Sequence, residues 1–270
     1  MNITELIRAF ILGVVEGITE WLPISSTGHM ILVNSFIKNK ESFTSNELFI
    51  YVIQFGAILA VVTMFFRKLN PFTPSKTAEE KKNTWDMWFK VLVASLPAAV
   101  IGLLLDPVME KFESPFLIAA MLIIYGILFI SIENKNKIIK TDDMKEMTYK
   151  TALLIGIFQV LSIIPGTSRS GATILGAIIL GCSRTVAAEF SFFLAIPVMV
   201  GVSGLKIISN IGLLNPENVI ILLTGMAVAY IVSIISIKML MNFVRKHDFK
   251  CFGIYRIILG LIVIIYFALI

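Results

Sequence analysis

Charged side chains are scarce in this chain: Asp, Glu, Lys and Arg make up 15% of its 270 residues, against roughly 25% in an average soluble protein. Hydrophobic residues reach 57% and mean hydropathy is +0.89. Too little polar surface remains to cover a globule in water, so a soluble fold of one large or two small domains is excluded. Cys182 and Cys251 are the only cysteines, which excludes a disulfide framework and a cysteine metal cluster. The start MNITELIRAF lacks a basic segment followed by a small-residue cleavage site, so no removed signal peptide is expected. A net charge of +5 would suggest nucleic acid in a soluble protein. Here the basic residues act first as topology signals, and no nucleic-acid partner is expected.

What is present in quantity is long apolar runs. Six stretches, about 48–66, 88–105, 115–132, 187–205, 219–237 and 254–270, approach the roughly 20 residues needed to cross a bilayer. Two further apolar regions do not fit a simple span. In 6–37 the run is broken by Glu16, Glu20 and the stretch Pro23 to His29, and in 151–182 by Pro165 to Gly171. A short helix, a break rich in Pro, Gly and Ser, and a second short helix predict a re-entrant hairpin, tolerated at depth where protein or water satisfies the backbone. Overlaid with Ala9 on Ala152, the two regions also match at Gly13/Gly156, Ser25/Ser168, Gly28/Gly171, Ile31/Ile174 and Leu32/Leu175, with Glu16 on Gln159. The expected fold is therefore an all-α polytopic membrane protein, a single membrane domain over 1–270. It holds two inverted-topology repeats, about 1–133 and 148–270, each a hairpin followed by three spans.

Lysine and arginine placement tests that topology. With both regions re-entrant, 17 of the 23 basic residues fall on one side, from Arg67 and Lys68 through Lys90 to Lys238, Arg245 and Arg256, and 5 on the other. The rich side is assigned to the cytoplasm, which puts both termini and the first hairpin's mouth outside.

The few polar residues at depth carry the chemistry. Glu16 and Glu20 are spaced i, i+4, so their carboxylates share a helix face, where they repel unless a cation lies between them. A hard divalent ion, Mg²⁺ or Ca²⁺, held by oxygen and sharing substrate phosphate oxygens, meets that need; the alternative is that the glutamates face lumenal water or pair with Arg169. Downstream, Ser25, Ser26, Thr27, Gly28 and His29 supply hydroxyls, close backbone approach and one imidazole at a helix N-terminus; any single hydroxyl in either break reads equally well as a cap of its short helix. The second break repeats this with Thr167, Ser168, Ser170 and Gly171 and adds Arg169, whose guanidinium suits a phosphate or diphosphate. Gln159 either orients a water or bonds a helix. His247 lies in a basic stretch and reads as a solvated topology residue, leaving His29 as the candidate catalytic imidazole. The run Phe190, Phe192 and Phe193 reads as lipid-facing or packing surface. The patch Gly201-Val202-Ser203-Gly204 permits a homodimer as readily as an internal helix contact.

The string from Glu16 to His29, EGITEWLPISSTGH, with Pro165 to Gly171, PGTSRSG, closely resembles the bacterial undecaprenyl-diphosphate phosphatases of the bacitracin-resistance type. The similarity extends along the chain and includes Ala187 to Pro197. It implies hydrolysis of undecaprenyl diphosphate to the monophosphate and orthophosphate, recycling a cell-wall lipid carrier and conferring bacitracin resistance. It further implies a divalent cation and a site opening to the outer face of the bacterial cytoplasmic membrane. The SSTGH element is also similar to one in the acid-phosphatase-like lipid phosphatases, but their second histidine has no counterpart here. On this reading Glu16 and Glu20 bind the cation, and Arg169 with the N–H groups near Ser168 and Ser170 holds phosphate charge. Ser26 is the expected nucleophile, with His29 and Glu20 sharing proton transfer and Ser25 and Thr27 orienting oxygens, while direct attack by activated water stays open. The rival class is a transporter or flippase of an anionic polyprenyl lipid, since inverted repeats with broken helices are transporter architecture.

Overall fold

A computed structural model describes residues 3–37, 42–112, 114–135 and 138–269. Its helices are α1 (Ile3–Thr19), α2 (Ser26–Ile37), α3 (Glu47–Met64), α4 (Phe66–Leu69), α5 (Ala78–Met109), α6 (Pro115–Glu133), α7 (Tyr149–Val160), α8 (Arg169–Ile179), α9 (Arg184–Ser209), α10 (Pro216–Val244) and α11 (Lys250–Leu269). No strand occurs among the described residues. Helix starts follow the local sequence. Asn46, Ser114, Ser183 and Asn215 cap α3, α6, α9 and α10 through their side-chain oxygens, and Pro115 and Pro216 occupy first-turn positions where no N–H is needed.

Six helices, α3, α5, α6, α9, α10 and α11, are long and apolar enough to cross a membrane, and they match the six expected runs. Several are longer than their apolar segments. The helix of α5 begins at Ala78 rather than near 88, because AEEKKNTWDM continues the same backbone as a polar first third. At the other end of the molecule's sequence, α10 runs on to Val244 rather than 237. Pro97 and Pro197 fall inside α5 and α9 without ending them. Many large apolar side chains point outward, among them Leu96, Leu104, Ile124, Leu223 and Ile265, as a lipid-facing surface requires.

The packing pairs exchange under the overlay read from the sequence. Helix α1 lies on α10 and its counterpart α7 on α5, while α6 pairs with α11 and α3 with α9. Small residues set these approaches. Gly13 and Gly17 of α1 face the Gly225 and Ala229 carbonyls of α10, and Gly126 and Gly253 face each other's carbonyls between α6 and α11. Phe190, Phe192 and Phe193 are fully buried, so they are packing surface, with Phe192 edge-on to Trp21 at 5.4 Å. A Cβ at Gly201 or Gly204 would meet nothing within 4 Å, so neither glycine marks a close helix approach among the described residues.

A Cβ at Gly156 of α7 would overlap the backbone of Ala94 in α5. Gly156→Ala is expected to destabilise the protein by about 1–3 kcal/mol, while Gly201→Ala leaves stability unchanged. Thermal unfolding in detergent checks both, and equal melting temperatures for the two variants would refute the close approach.

Candidate active site

Both polar breaks end the same way. Ser25 (φ 73°) and Ser168 (φ 70°) are the described non-glycine residues with positive φ, a conformation that L-residues adopt at a cost. The reversal aims the next helix inward. Ser25 Oγ accepts from Gly28 N at 3.3 Å and Ser168 Oγ from Gly171 N at 3.2 Å, so both hydroxyls, expected among the phosphate-binding set, are engaged as helix caps. The first residues of the two short helices are then Ser26 and Arg169.

Those two residues meet at Glu20. Arg169 Nη2 donates to Glu20 Oε1 at 2.8 Å, and Ser26 Oγ donates to Glu20 Oε2 at 3.0 Å. The Arg169 and Glu20 side chains are only 11% and 9% exposed, so this is a charge pair with little water to screen it. Arg169 is braced from behind: Nη1 donates to the Ser191 carbonyl at 2.8 Å, and its guanidinium lies 5.7 Å from the Trp21 ring. Ser191 Oγ in turn bonds Thr173 Oγ1 at 2.7 Å. Ser170 Oγ donates to the carbonyls of Glu20 and Leu22, fastening the start of α8 onto the first break.

Glu16 is one turn before Glu20, and the register holds because Glu20 N donates to the Glu16 carbonyl although α1 ends at Thr19. The two carboxylates differ in company. Both Glu20 oxygens are engaged, whereas Glu16 Oε1 is buried with no partner, as are both polar atoms of Gln159 and Thr167 Oγ1. Buried polar atoms without partners call for a proton, a water or an ion. No three His, Cys, Asp or Glu residues converge among the described residues. A divalent cation at Glu16 and Glu20 therefore fits only as one completed by substrate oxygens, the usual habit of Mg²⁺.

His29 faces elsewhere than expected. Its Nδ1 lies 2.7 Å from the Ser25 carbonyl, which only accepts, so Nδ1 carries the proton. Nε2 lies 2.7 Å from Tyr255 Oη and is the accepting nitrogen, with the two rings stacked at 5.6 Å. Neither nitrogen is bonded to Ser26; Glu20 alone holds that hydroxyl. Thr27 is exposed and Gly28 is buried against Leu122.

Arg256 corrects the sequence reading. Counted above as a cytoplasmic topology residue, it is fully buried in α11. Its guanidinium donates to the carbonyls of Pro23 in the first break and of Gly166 and Thr167 in the second, at 3.0–3.2 Å, and reaches Leu122 of α6. Its π-face lies 5.3 Å from the Tyr125 ring. Arg169 is singled out by its place in a polar break, whereas the signal for Arg256 is an ionisable side chain near the start of the apolar run 254–270. Lys90, also assigned to solvent, is buried and pairs with Asp86 at 2.6 Å.

Arg256→Met would leave three buried carbonyls without a donor. Each costs about 1–3 kcal/mol, so the variant should melt well below wild type and Arg256→Lys in between. Melting of Arg256→Met with the wild type would show that the carbonyls find other donors.

The family model described as "Bacitracin resistance protein BacA" matches residues 9–262. Among curated proteins, an undecaprenyl-diphosphatase of Enterococcus faecalis is 58% identical over 98% of this chain and 99% of the relative. Another of Desulfitobacterium hafniense is 57% identical over 99% and 98%, and a third of Streptococcus thermophilus is 55% identical over 98% and 94%. With the motif-bearing breaks and the whole membrane-spanning body inside these matches, the chain belongs to the bacitracin resistance protein BacA family.

Proposed function

We infer that this protein is a membrane-embedded undecaprenyl-diphosphatase, removing the terminal phosphate of undecaprenyl diphosphate to recycle the carrier lipid and confer bacitracin resistance. The observation that carries the chemistry is the chain Ser26–Glu20–Arg169, in which one carboxylate bonds a hydroxyl and a guanidinium from opposite breaks. Arg169 holds the terminal phosphate through its planar fork, aided by the N–H groups at the start of α8. Ser26 Oγ attacks the terminal phosphorus and its proton passes to Glu20 Oε2, 3.0 Å away. The bond from phosphorus to the bridging oxygen breaks, and the lipid monophosphate leaves with that oxygen. The proton on Glu20 leaves with the lipid monophosphate; water then attacks the phosphoserine and gives a proton to the freed Glu20 carboxylate, and that proton returns to Ser26 Oγ as the bond from phosphorus to Oγ breaks and orthophosphate departs. A cation held by Glu16 and Glu20 would offset charge on the diphosphate oxygens.

The two breaks belong to inverted repeats entering the membrane from opposite sides, a reading supported by the exchange of packing partners. The basic-residue bias supports placing both termini and the site's mouth on the outer face.

Purified protein should release phosphate from undecaprenyl diphosphate, and Ser26→Ala should lower that rate about a thousandfold or more. Undiminished release by Ser26→Ala would make water the direct nucleophile. Protein that releases no phosphate yet moves labelled lipid across vesicles would be a carrier instead.

Chelation should abolish phosphate release, with Mg²⁺ or Ca²⁺ restoring it. Glu16→Gln should raise the metal concentration for half-maximal rate about tenfold. Full activity in excess chelator would remove the cation from the mechanism.

A further inference from the structure

Away from these breaks, α3 and α10 run side by side in the same direction, with Gly56 against Met226 and Tyr230 Oη on Thr63 Oγ1 at 3.2 Å. Two crevices open along this seam. One, of about 300 Å³, is walled by Leu59, Thr63, Met226, Ala227 and Tyr230 and is almost wholly apolar. The other, of about 250 Å³, lies at the C-terminal ends of both helices and is lined by Lys68, Glu189, Lys238, Asn242 and Arg245 among apolar neighbours. Tyr230 and Lys238 are separated by about 12 Å of helix, so the apolar crevice leads toward the basic one.

Charge in the second crevice is unbalanced. Glu189 is its sole acid and is taken by Lys68 at 2.6 Å. Lys238 and Arg245 have no carboxylate partner among the described residues and are exposed. With Asn242 between them they follow a spacing of i, i+4 and i+7, which places all three on one stripe of α10. A basic pocket between helices at a membrane boundary, continued by an apolar groove toward the bilayer interior, has the chemistry of a phospholipid head and chain.

We propose that the α3–α10 seam binds an anionic phospholipid, its phosphate between Lys238 and Arg245 beside Asn242 and one acyl chain along Leu59, Met226 and Ala227. The site requires only that these helices span a membrane and is independent of the phosphatase reading.

Native mass spectrometry of protein purified with equal phosphatidylglycerol and phosphatidylcholine tests the site. The wild type should retain phosphatidylglycerol preferentially, one molecule per chain. The double variant Lys238→Gln, Arg245→Gln should retain about tenfold less, as should Ala227→Trp, which fills the groove without changing charge. Lys81→Gln, Lys82→Gln, equally basic but outside the crevice, should leave retention unchanged. Equal loss in that control, or equal retention of the two lipids, would reduce the effect to diffuse attraction and overturn the proposal. Displacement by soluble glycerol phosphate would make this a free-anion site, and displacement by substoichiometric undecaprenyl phosphate would assign it to the reaction product; either refutes the phospholipid.

Discussion

A broken helix inside an apolar body leaves carbonyls that water cannot reach, and the rest of this structure depends on how Arg256 takes them up. One guanidinium bonds the first break at Pro23 and the second at Gly166 and Thr167. Two irregular segments far apart in the chain thereby become one unit. Every hydrogen-bond acceptor is a neutral carbonyl, so the charge is spread over several dipoles and the Tyr125 ring rather than paired with an acid. The small residues of the helix seams serve the same end from outside, since close backbone approach at Gly13, Gly17 and Gly156 holds the first arm of each hairpin against its neighbour.

On that platform a carboxylate, a hydroxyl and a guanidinium meet from the two breaks. Glu20 comes from the first and Arg169 from the second, and Ser26 is tied in through the same carboxylate. Stability alone does not favour such an arrangement, because a buried ion pair gives back in desolvation much of what attraction supplies. On the proposed mechanism its value lies in placing a hydroxyl, a base and a phosphate anchor in fixed relation before any substrate arrives.

Much of this was legible in the sequence, and the misses share a physical cause. The six long helices and the two polar breaks were readable because apolar run length and Pro/Gly/Ser interruptions are local properties. Glu20, Ser26 and Arg169, which the structure brings together, stood out in the sequence because polar groups at depth are rare. Arg256 and Tyr255 were missed because each lies in the first two turns of α11, where a basic or amphipathic residue reads equally well as an interfacial anchor. Only the position of α11 against the breaks distinguishes the two. The orientation of His29 was likewise set by a tyrosine 226 positions away, beyond any local pattern.

The overlay that pairs Ser25 with Ser168 also pairs Ser26 with Arg169, and Glu16 with Gln159. Both corners open on a serine of positive φ, but the side chains that follow differ: a hydroxyl in one break, a cation in the other. Two matched halves would present a diphosphate with a mirror-like choice of direction. On the proposed mechanism, unequal corners would remove that choice and give the site a head and a tail, so that a diphosphate would be received in one direction alone.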